Sequence, residues 1–295
     1  MRRFLIVWRR ELESSFLSPT AYVIMAVFLA MTGWVFLQLV EGHVGGQEPL
    51  AELLYKVLIY FWMPVLVTVV TMRLFAEEKR GGTLETLLTA PVTDVQVVLG
   101  KYAGALTFLL AVTAPAAAYP YVLAAMSPGV AGVESGGMLA GGLFTALLAA
   151  FCVAIGLVMS LLARSQVVSA ICCFSGVLLP LLAGYMISLL PLGAESLVAY
   201  VTVHDHLLDA TRGAIDSRPL VMYATGTVLL IFVAVKMLVR EDGSVGQINV
   251  IKAKPQGFFE NAVRRALPSW TYQPGRIGGD PVTSWVMTTV RFNLN

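Results

Sequence analysis

Residues 138–163 read MLAGGLFTALLAAFCVAIGLVMSLLA and contain no charged side chain. An α-helix rises about 1.5 Å per residue, so roughly 20 apolar residues cross the hydrocarbon core of a bilayer. This stretch is long enough to do so, and the rest of the chain agrees with it. Of 295 residues, 57% are hydrophobic and only 13% charged, and mean hydropathy is +0.77. A soluble domain of that length would need far more charge on its surface. Composition therefore implies an integral membrane protein. A net charge of +2 and the absence of a basic run interleaved with aromatics argue against nucleic acid as a partner.

Working outward, six stretches qualify as spans, at about 22–40, 54–72, 102–126, 138–163, 167–190 and 219–239. Lys56 can snorkel at the outer end of the second. Before the first span, the apolar run of MRRFLIV is broken by WRRELESS, too early for a cleavable signal. Phe4, Leu5, Trp8, Leu12 and Phe16 recur at helical spacing, with Arg2, Arg3, Arg9, Arg10 and Glu13 on other faces. That pattern predicts a helix lying in the membrane interface. Ser18-Pro19 supplies a fresh N-cap and N1 proline, so the first span starts as a separate helix.

Basic residues set the orientation. With the N-terminus inside, inner segments before the last span hold Arg2, Arg3, Arg9, Arg10, Arg73, Lys79, Arg80, Lys101 and Arg164, against Lys56, Arg212 and Arg218 outside. An even number of spans then puts both termini in the cytoplasm. The spans are nearly free of ionisable groups, which points away from an ion-coupled carrier with its own mid-membrane ligand. Small residues recur instead, at Gly100 and Gly104 and at Gly137 and Gly141, and allow close helix approach within the chain or between protomers. Cys152, Cys172 and Cys173 lie in apolar runs without metal-ligand spacing and read as small packing residues.

Charge and helix punctuation concentrate at residues 75–92, FAEEKRGGTLETLLTAPV, between spans two and three. Arg73 to Arg80 would continue the second span out of the membrane as a charged helix end, and Gly81-Gly82 would stop it. Thr83 can cap a new short helix, Glu85 suits its first turn, and Leu84, Leu87 and Leu88 form an apolar stripe. Ala90-Pro91 ends it, and Thr93 or Asp94 can cap the helix that becomes span three. From the residues alone, an ordinary interfacial loop helix and a docking helix for a cytoplasmic partner both remain open.

At these residues the sequence resembles a known family. EEKRGGTLETLLTAPVTDVQVVLGK is similar to the signature of ABC-2-type permeases, the membrane subunits of a class of ABC exporters. RRELESSFLSPTAYV resembles the start of those permeases, especially in the gliding-motility branch, and HDHLLDATRGAIDSRPLVMY resembles that branch's segment before the last span. The resemblance covers about residues 1–240 and implies an all-α, six-span permease domain. It further implies an amphipathic elbow carried here by Trp8, Arg9, Arg10, Glu11, Phe16 and Pro19. Between spans two and three it implies a cytoplasmic coupling helix, with Glu77, Glu78, Gly81, Thr83, Leu84, Glu85, Leu87, Leu88 and Pro91 as contacts for a separate ATPase subunit. Glu77, Glu78 and Glu85 would pair charges with the ATPase, and the leucines would pack in its groove.

Two permease subunits, identical or paralogous, would face each other in a bacterial inner membrane. ATP and Mg²⁺ would sit on the ATPase, with no cofactor or metal on this chain and no catalysis by it. The sequence agrees, because its nearest approach to a phosphate-cradling loop, VQVVLGKY at 95–102, has Val95 in place of the first glycine and Tyr102 in place of Ser/Thr. A membrane scaffold that binds an ATPase without moving a solute is the alternative.

Two features stand apart. His204, Asp205, His206 and Asp209 cluster before the last span, but at helical spacing the two histidines face different ways, which favours structural roles over a metal site. The tail, 241–295, departs from the family, and the expectation for it is a cytoplasmic segment. Within it GFFENAVRRALPSW has an amphipathic pattern, TYQPGRIGGDP reads as loop, and WVMTTVRF reads as a short strand.

Overall fold

The computed structural model describes residues 2–42, 49–81, 93–126, 133–163, 165–183, 202–214, 216–241, 275–277 and 280–282. The chain divides into two compact units, Met1–Ala234 and Val235–Asn295. The first is built from helices: α1 (Arg2–Phe16), α2 (Pro19–Gly42), α3 (Leu50–Lys56), α4 (Met63–Thr71), α5 (Ala76–Gly81), α6 (Asp94–Thr113), α7 (Tyr119–Met126), α8 (Ser135–Leu162), α9 (Gln166–Leu182), α10 (Val203–Thr211) and α11 (Ser217–Glu241), which runs on past the boundary. A π-helical turn, Val57–Trp62, joins α3 to α4, and a 3₁₀ turn, Ala114–Ala118, joins α6 to α7 at Pro115.

Among the described residues, five helical runs are long and apolar enough to cross a membrane: Pro19–Gly42, Leu50–Lys79, which a turn interrupts after Thr71, Val95–Met126, Ser135–Leu162 and Ser217–Met237. The described part of the remaining expected span is the shorter helix α9, and residues 184–201 lie outside the described residues. Spans two and three start earlier than apolar counting suggested, because paired charges extend the helices. Lys56 does not snorkel freely; it lies 2.7 Å from Glu52 within α3. Likewise α6 begins at Asp94 and carries Lys101 in a buried pairing. Thr93 is its N-cap, in a reciprocal capping box with Gln96.

Helix approach depends on small residues, since lipid offers no hydrophobic drive for helices to associate. A β-carbon at Gly100 would stand 2.6 Å from Val7 Cγ1, and one at Gly104 would stand 2.7 Å from Glu11 Cβ. The seam between α1 and α6 therefore has no room for a larger residue. Gly137 and Gly141 serve α8 in the same way, against Thr211 of α10 and Tyr55 of α3. Both glycine pairs thus make contacts within the chain.

Contacts along α8 give the first unit its polarity. At the start of α8, Tyr55 donates to the carbonyl of Met138 at 2.7 Å. At its end, Gly156 admits Thr71 of α4. Between them the Tyr223 ring of α11 lies 5.8 Å from Phe144 and 5.6 Å from Phe151, and Gly226 meets Phe151. So α11 runs parallel to α8, and within the first unit it heads toward the end where α1, α5 and the last turn of α8 gather. Outward faces of α2 and α11 are apolar, with Tyr22, Val27, Trp34, Val228, Leu229 and Phe232 exposed.

In the second unit the described strands β1 (Gly275–Ile277) and β2 (Asp280–Val282) pair antiparallel, with Gly275 opposite Val282 and Ile277 opposite Asp280. This corrects the loop reading of TYQPGRIGGDP. Two residues, Gly278 and Gly279, separate the strands, and Gly-Gly is a favoured two-residue hairpin connection. The amphipathic stretch 257–270 and the strand expected at 285–292 lie outside the described residues.

Candidate functional site

The charged stretch after span two is not one continuous helix end. Helix α4 stops at Thr71, a turn follows, and α5 starts afresh at Ala76. A new helix start leaves backbone N–H groups without intrahelical partners. Here a side chain from another helix satisfies them: Ser160 Oγ of α8 accepts from Phe75 N at 3.1 Å and Ala76 N at 3.2 Å. Thr71 can come this close to α8 because Gly156 lacks a side chain. The Cys173 thiol of α9 donates to the Gly156 carbonyl at 3.3 Å, which adds a third helix to the packing.

One turn into α5, Lys79 donates to the carbonyl of Leu161 in the last turn of α8. A cation there meets the negative end of the helix dipole and satisfies a terminal carbonyl. The two helices therefore cap each other, Ser160 at the start of α5 and Lys79 at the end of α8. Helix α5 is described as far as Gly81, and Gly82, the second half of the expected Gly-Gly stop, lies outside the described residues.

Glu78 turns inward. Its carboxylate lies 2.9 Å from Lys101 Nζ, and the same ammonium lies 2.9 Å from Glu11 of α1. The Lys101 side chain is only 3% exposed, which decides its character: two carboxylates surround a cation withdrawn from water. The Phe75 ring, 5.2 Å from Nζ, completes the enclosure. Three segments meet at this atom: the N-terminal helix, the segment after span two, and span three.

The residues expected to form an elbow divide by role. Val7 and Glu11 face the glycine seam, Trp8 Nε1 donates to Thr107 Oγ1 at 3.3 Å, and Phe16 packs edge-on against Phe108 at 5.0 Å. Arg9 pairs with Glu13 at 2.7 Å on the exposed face, where such a pair contributes little. Arg10 and Pro19 are exposed, Pro19 as the first residue of α2. Thus α1 is docked along span three.

Of the residues expected to meet an ATPase, Glu77 is exposed on α5 and Gly81 is exposed at its end. Glu78 faces the protein interior instead. Thr83, Leu84, Glu85, Leu87, Leu88 and Pro91 lie outside the described residues. Sequence reasoning did not single out Ser160, Phe75 or Lys101 for this site. Lys101 had a signal, as a lone cation set between Gly100 and Gly104 in an otherwise apolar helix.

At the opposite end of α8, His206 Nδ1 lies 3.3 Å from the Tyr223 hydroxyl, with the ring against Phe144. His204 lies instead beside Tyr60, at 6.5 Å between ring centroids. Asp205 and Asp209 are exposed. Burial lowers the pKa of His206, opposed by Asp205, Asp209 and Asp216. Gly213, at φ +79°, ends α10: Ala214 N reaches Asp209 O and Gly213 N reaches Ala210 O, a Schellman closure. Among the described residues, no three His, Cys, Asp or Glu side chains converge as a metal site.

Residues 11–235 match the family described as ABC-2 family transporter protein. The chain belongs to the ABC-2 transporter family. Its first unit is accordingly the membrane permease of an ABC transporter, a class that works with an ABC ATPase, and its apolar helices make it multi-pass. The match is to ABC-2 transporters as a whole and does not single out the gliding-motility branch. Residues 232–294 match a second family, Gram-negative bacterial TonB protein C-terminal. The two matches meet where the chain divides into its two units, at Ala234 and Val235. Protein TonB of Escherichia coli K12 is 35% identical over 63 residues, and Protein TonB of Klebsiella pneumoniae is 36% identical over 63 residues. In both cases the similarity covers 21% of this chain and 24% of the relative, so the chain spans about a quarter of the length of these curated relatives.

Proposed function

We propose that this ABC-2 permease is the membrane half of an ATP-driven exporter in a bacterial inner membrane, powered through α5 and the residues that follow it by a separate ATPase subunit. The observation that carries this reading is the bracing of α5. Ser160 and Lys79 bind it to α8, and Glu78 binds it through Lys101 to span three and α1. A segment braced in this way transmits force to several spans when a partner pushes on it, whereas a loosely tethered loop helix would absorb the displacement.

In this reading Glu77 and Glu85 supply charge to the partner's surface, and Leu84, Leu87 and Leu88 fill its groove. Glu78 serves inside the permease. ATP and Mg²⁺ stay on the partner, and this chain binds no cofactor and performs no hydrolysis. Two permease subunits, two copies or this chain with a paralogue, enclose the pathway, and the apolar outer faces of α2 and α11 meet lipid or the second subunit. Both termini lie on the cytoplasmic side, and the TonB-like second unit is a module appended there.

The test is co-purification and reconstitution with the ABC ATPase subunit, followed by vanadate-sensitive ATP hydrolysis. Leu84→Asp with Leu87→Asp should abolish stimulation by the permease while insertion persists. Normal assembly and stimulation by that variant would refute the docking assignment. Stimulation with no ATP-dependent movement of any lipid or peptide tested would favour the scaffold reading.

A further inference from the structure

The junction is built from two packed bodies. In the first, α1 lies on α6 along the Gly100 and Gly104 seam, secured by Trp8 on Thr107 and Phe16 on Phe108. In the second, α4, α5 and α8 are joined by Thr71 against Gly156, by the two N–H bonds to Ser160, and by Lys79 on the Leu161 carbonyl. Tyr102 of α6 donates to the Ala150 carbonyl of α8 at 3.1 Å, a pivot between the bodies. One position before that pivot, Lys101 reaches across. It holds Glu11 of its own body and Glu78 of the other, each at 2.9 Å.

We propose that Lys101 is a positioning residue that latches Glu78 of α5 to the α1–α6 body, so that displacement of α5 moves the N-terminal elbow together with span three. This deepens the power-input reading above and rests on it. The physical reason is that a buried ammonium cannot lose a carboxylate without either replacing it or admitting water. Displacing α5 therefore either carries α1 and α6 with it or breaks the pair. The two carboxylates are not equivalent in this respect. Glu11 is already tied to α6 by the glycine seam, so its bond to Lys101 is redundant for transmission. Glu78 lies across the gap, and its bond carries the motion.

The test uses the full permease–ATPase complex with two neutral variants, Glu78→Gln and Glu11→Gln. Each leaves Lys101 one carboxylate, so a purely structural role makes their effects equal. Two readouts are taken: ATPase stimulation by the permease, and the ATP-dependent change in distance between spin labels at Leu5→Cys on α1 and Leu162→Cys on α8. Both label sites are exposed, and Cys172→Ala removes the partly accessible native thiol.

The expected result is a label distance that stays constant when ATP is added to the otherwise unmodified permease and to Glu11→Gln, because the latched bodies move together, and an ATP-dependent distance change that appears in Glu78→Gln with stimulation lowered about tenfold. Glu78→Asp should reverse part of both effects. Equal effects of the two variants, or an unchanged distance response in Glu78→Gln, would overturn the latch while leaving the power-input reading standing. Absence of any stimulation by the unmodified permease would overturn that reading and the latch with it.

Discussion

Lys101 of span three holds the Glu78 carboxylate of α5 at 2.9 Å, in a site where the lysine is 3% exposed. A charge in that position is stable only while its partners remain. Lys101→Met would take the shared cation away from the half-buried carboxylates of Glu11 and Glu78, at a cost of up to about 3–5 kcal/mol. The expected outcome is a clear drop in the detergent-solubilised permease's thermal midpoint. Combining it with Glu11→Gln and Glu78→Gln should recover most of the loss, because removing every charge is cheaper than orphaning one. If the triple variant were as unstable as Lys101→Met, the site would depend on packing rather than on paired charge.

Ser160 accepts from both Phe75 N and Ala76 N, so Ser160→Ala strips the start of α5 of its cap. Each N–H left unsatisfied costs about 1–3 kcal/mol, less where water reaches it. Hydrogen exchange read by mass spectrometry should speed up at Phe75 and Ala76 in this variant and be slowed again in Ser160→Thr. Unchanged exchange there would mean that Ser160 does not fix α5.

His206 gives a pH dependence at the other end of the molecule. Its pKa is lowered from 6.5, first by burial, so the unfolded chain takes up a proton more readily than the folded one. The stability held by neutral His206 is full above the unfolded pKa and declines as pH falls through the window beneath it. Heat denaturation should therefore shift downward as pH is lowered from about 7 to 5. His206→Gln, which keeps a hydrogen-bonding group for Tyr223, should flatten part of that dependence. An identical pH profile in the variant would assign the dependence to other groups.

Much of the fold was legible because helix period and hydropathy act locally. Each span is an apolar run, and Thr93 and Pro19 mark helix starts through their own backbone chemistry. The glycine pairs were legible as close contacts, although their partners were not. Span starts at Leu50 and Asp94 were missed because Glu52 and Lys101 counted as breaks; Lys56, one turn on in the same helix, neutralises the first, and carboxylates from other helices neutralise the second. The inward turn of Glu78 was hidden for the same reason. A glutamate at the end of a greasy span looks solvated until a lysine 23 positions later, 101 − 78, is brought beside it. Ser160 sits in an apolar run with nothing local to mark it, since its task is set by a helix that arrives from elsewhere. In the tail, the Gly-Gly dipeptide was read as loop when it could also have been read as a hairpin connection.

The proposed cytoplasmic placement of both termini predicts a labelling pattern. In a Cys172→Ala background, a cysteine at Ser14 on α1 and one at Ser244 in the tail should react with a membrane-impermeant maleimide only after the cells are opened. A cysteine at Ser217, at the start of α11, should react in intact spheroplasts. Labelling of Ser244→Cys from outside would reverse the placement of the second unit.

The central claim is that α5 is the place where the ATPase acts. A photo-crosslinking residue at Glu77, exposed on α5, tests it most directly, with one at Gly136, exposed near the start of α8, as the control. Illumination of the assembled complex should join Glu77 to the ATPase subunit, with a yield that changes when ATP is added, and Gly136 should give no such product. An ATPase that co-purifies with the permease yet never crosslinks from Glu77, while other positions capture it, would contradict the account.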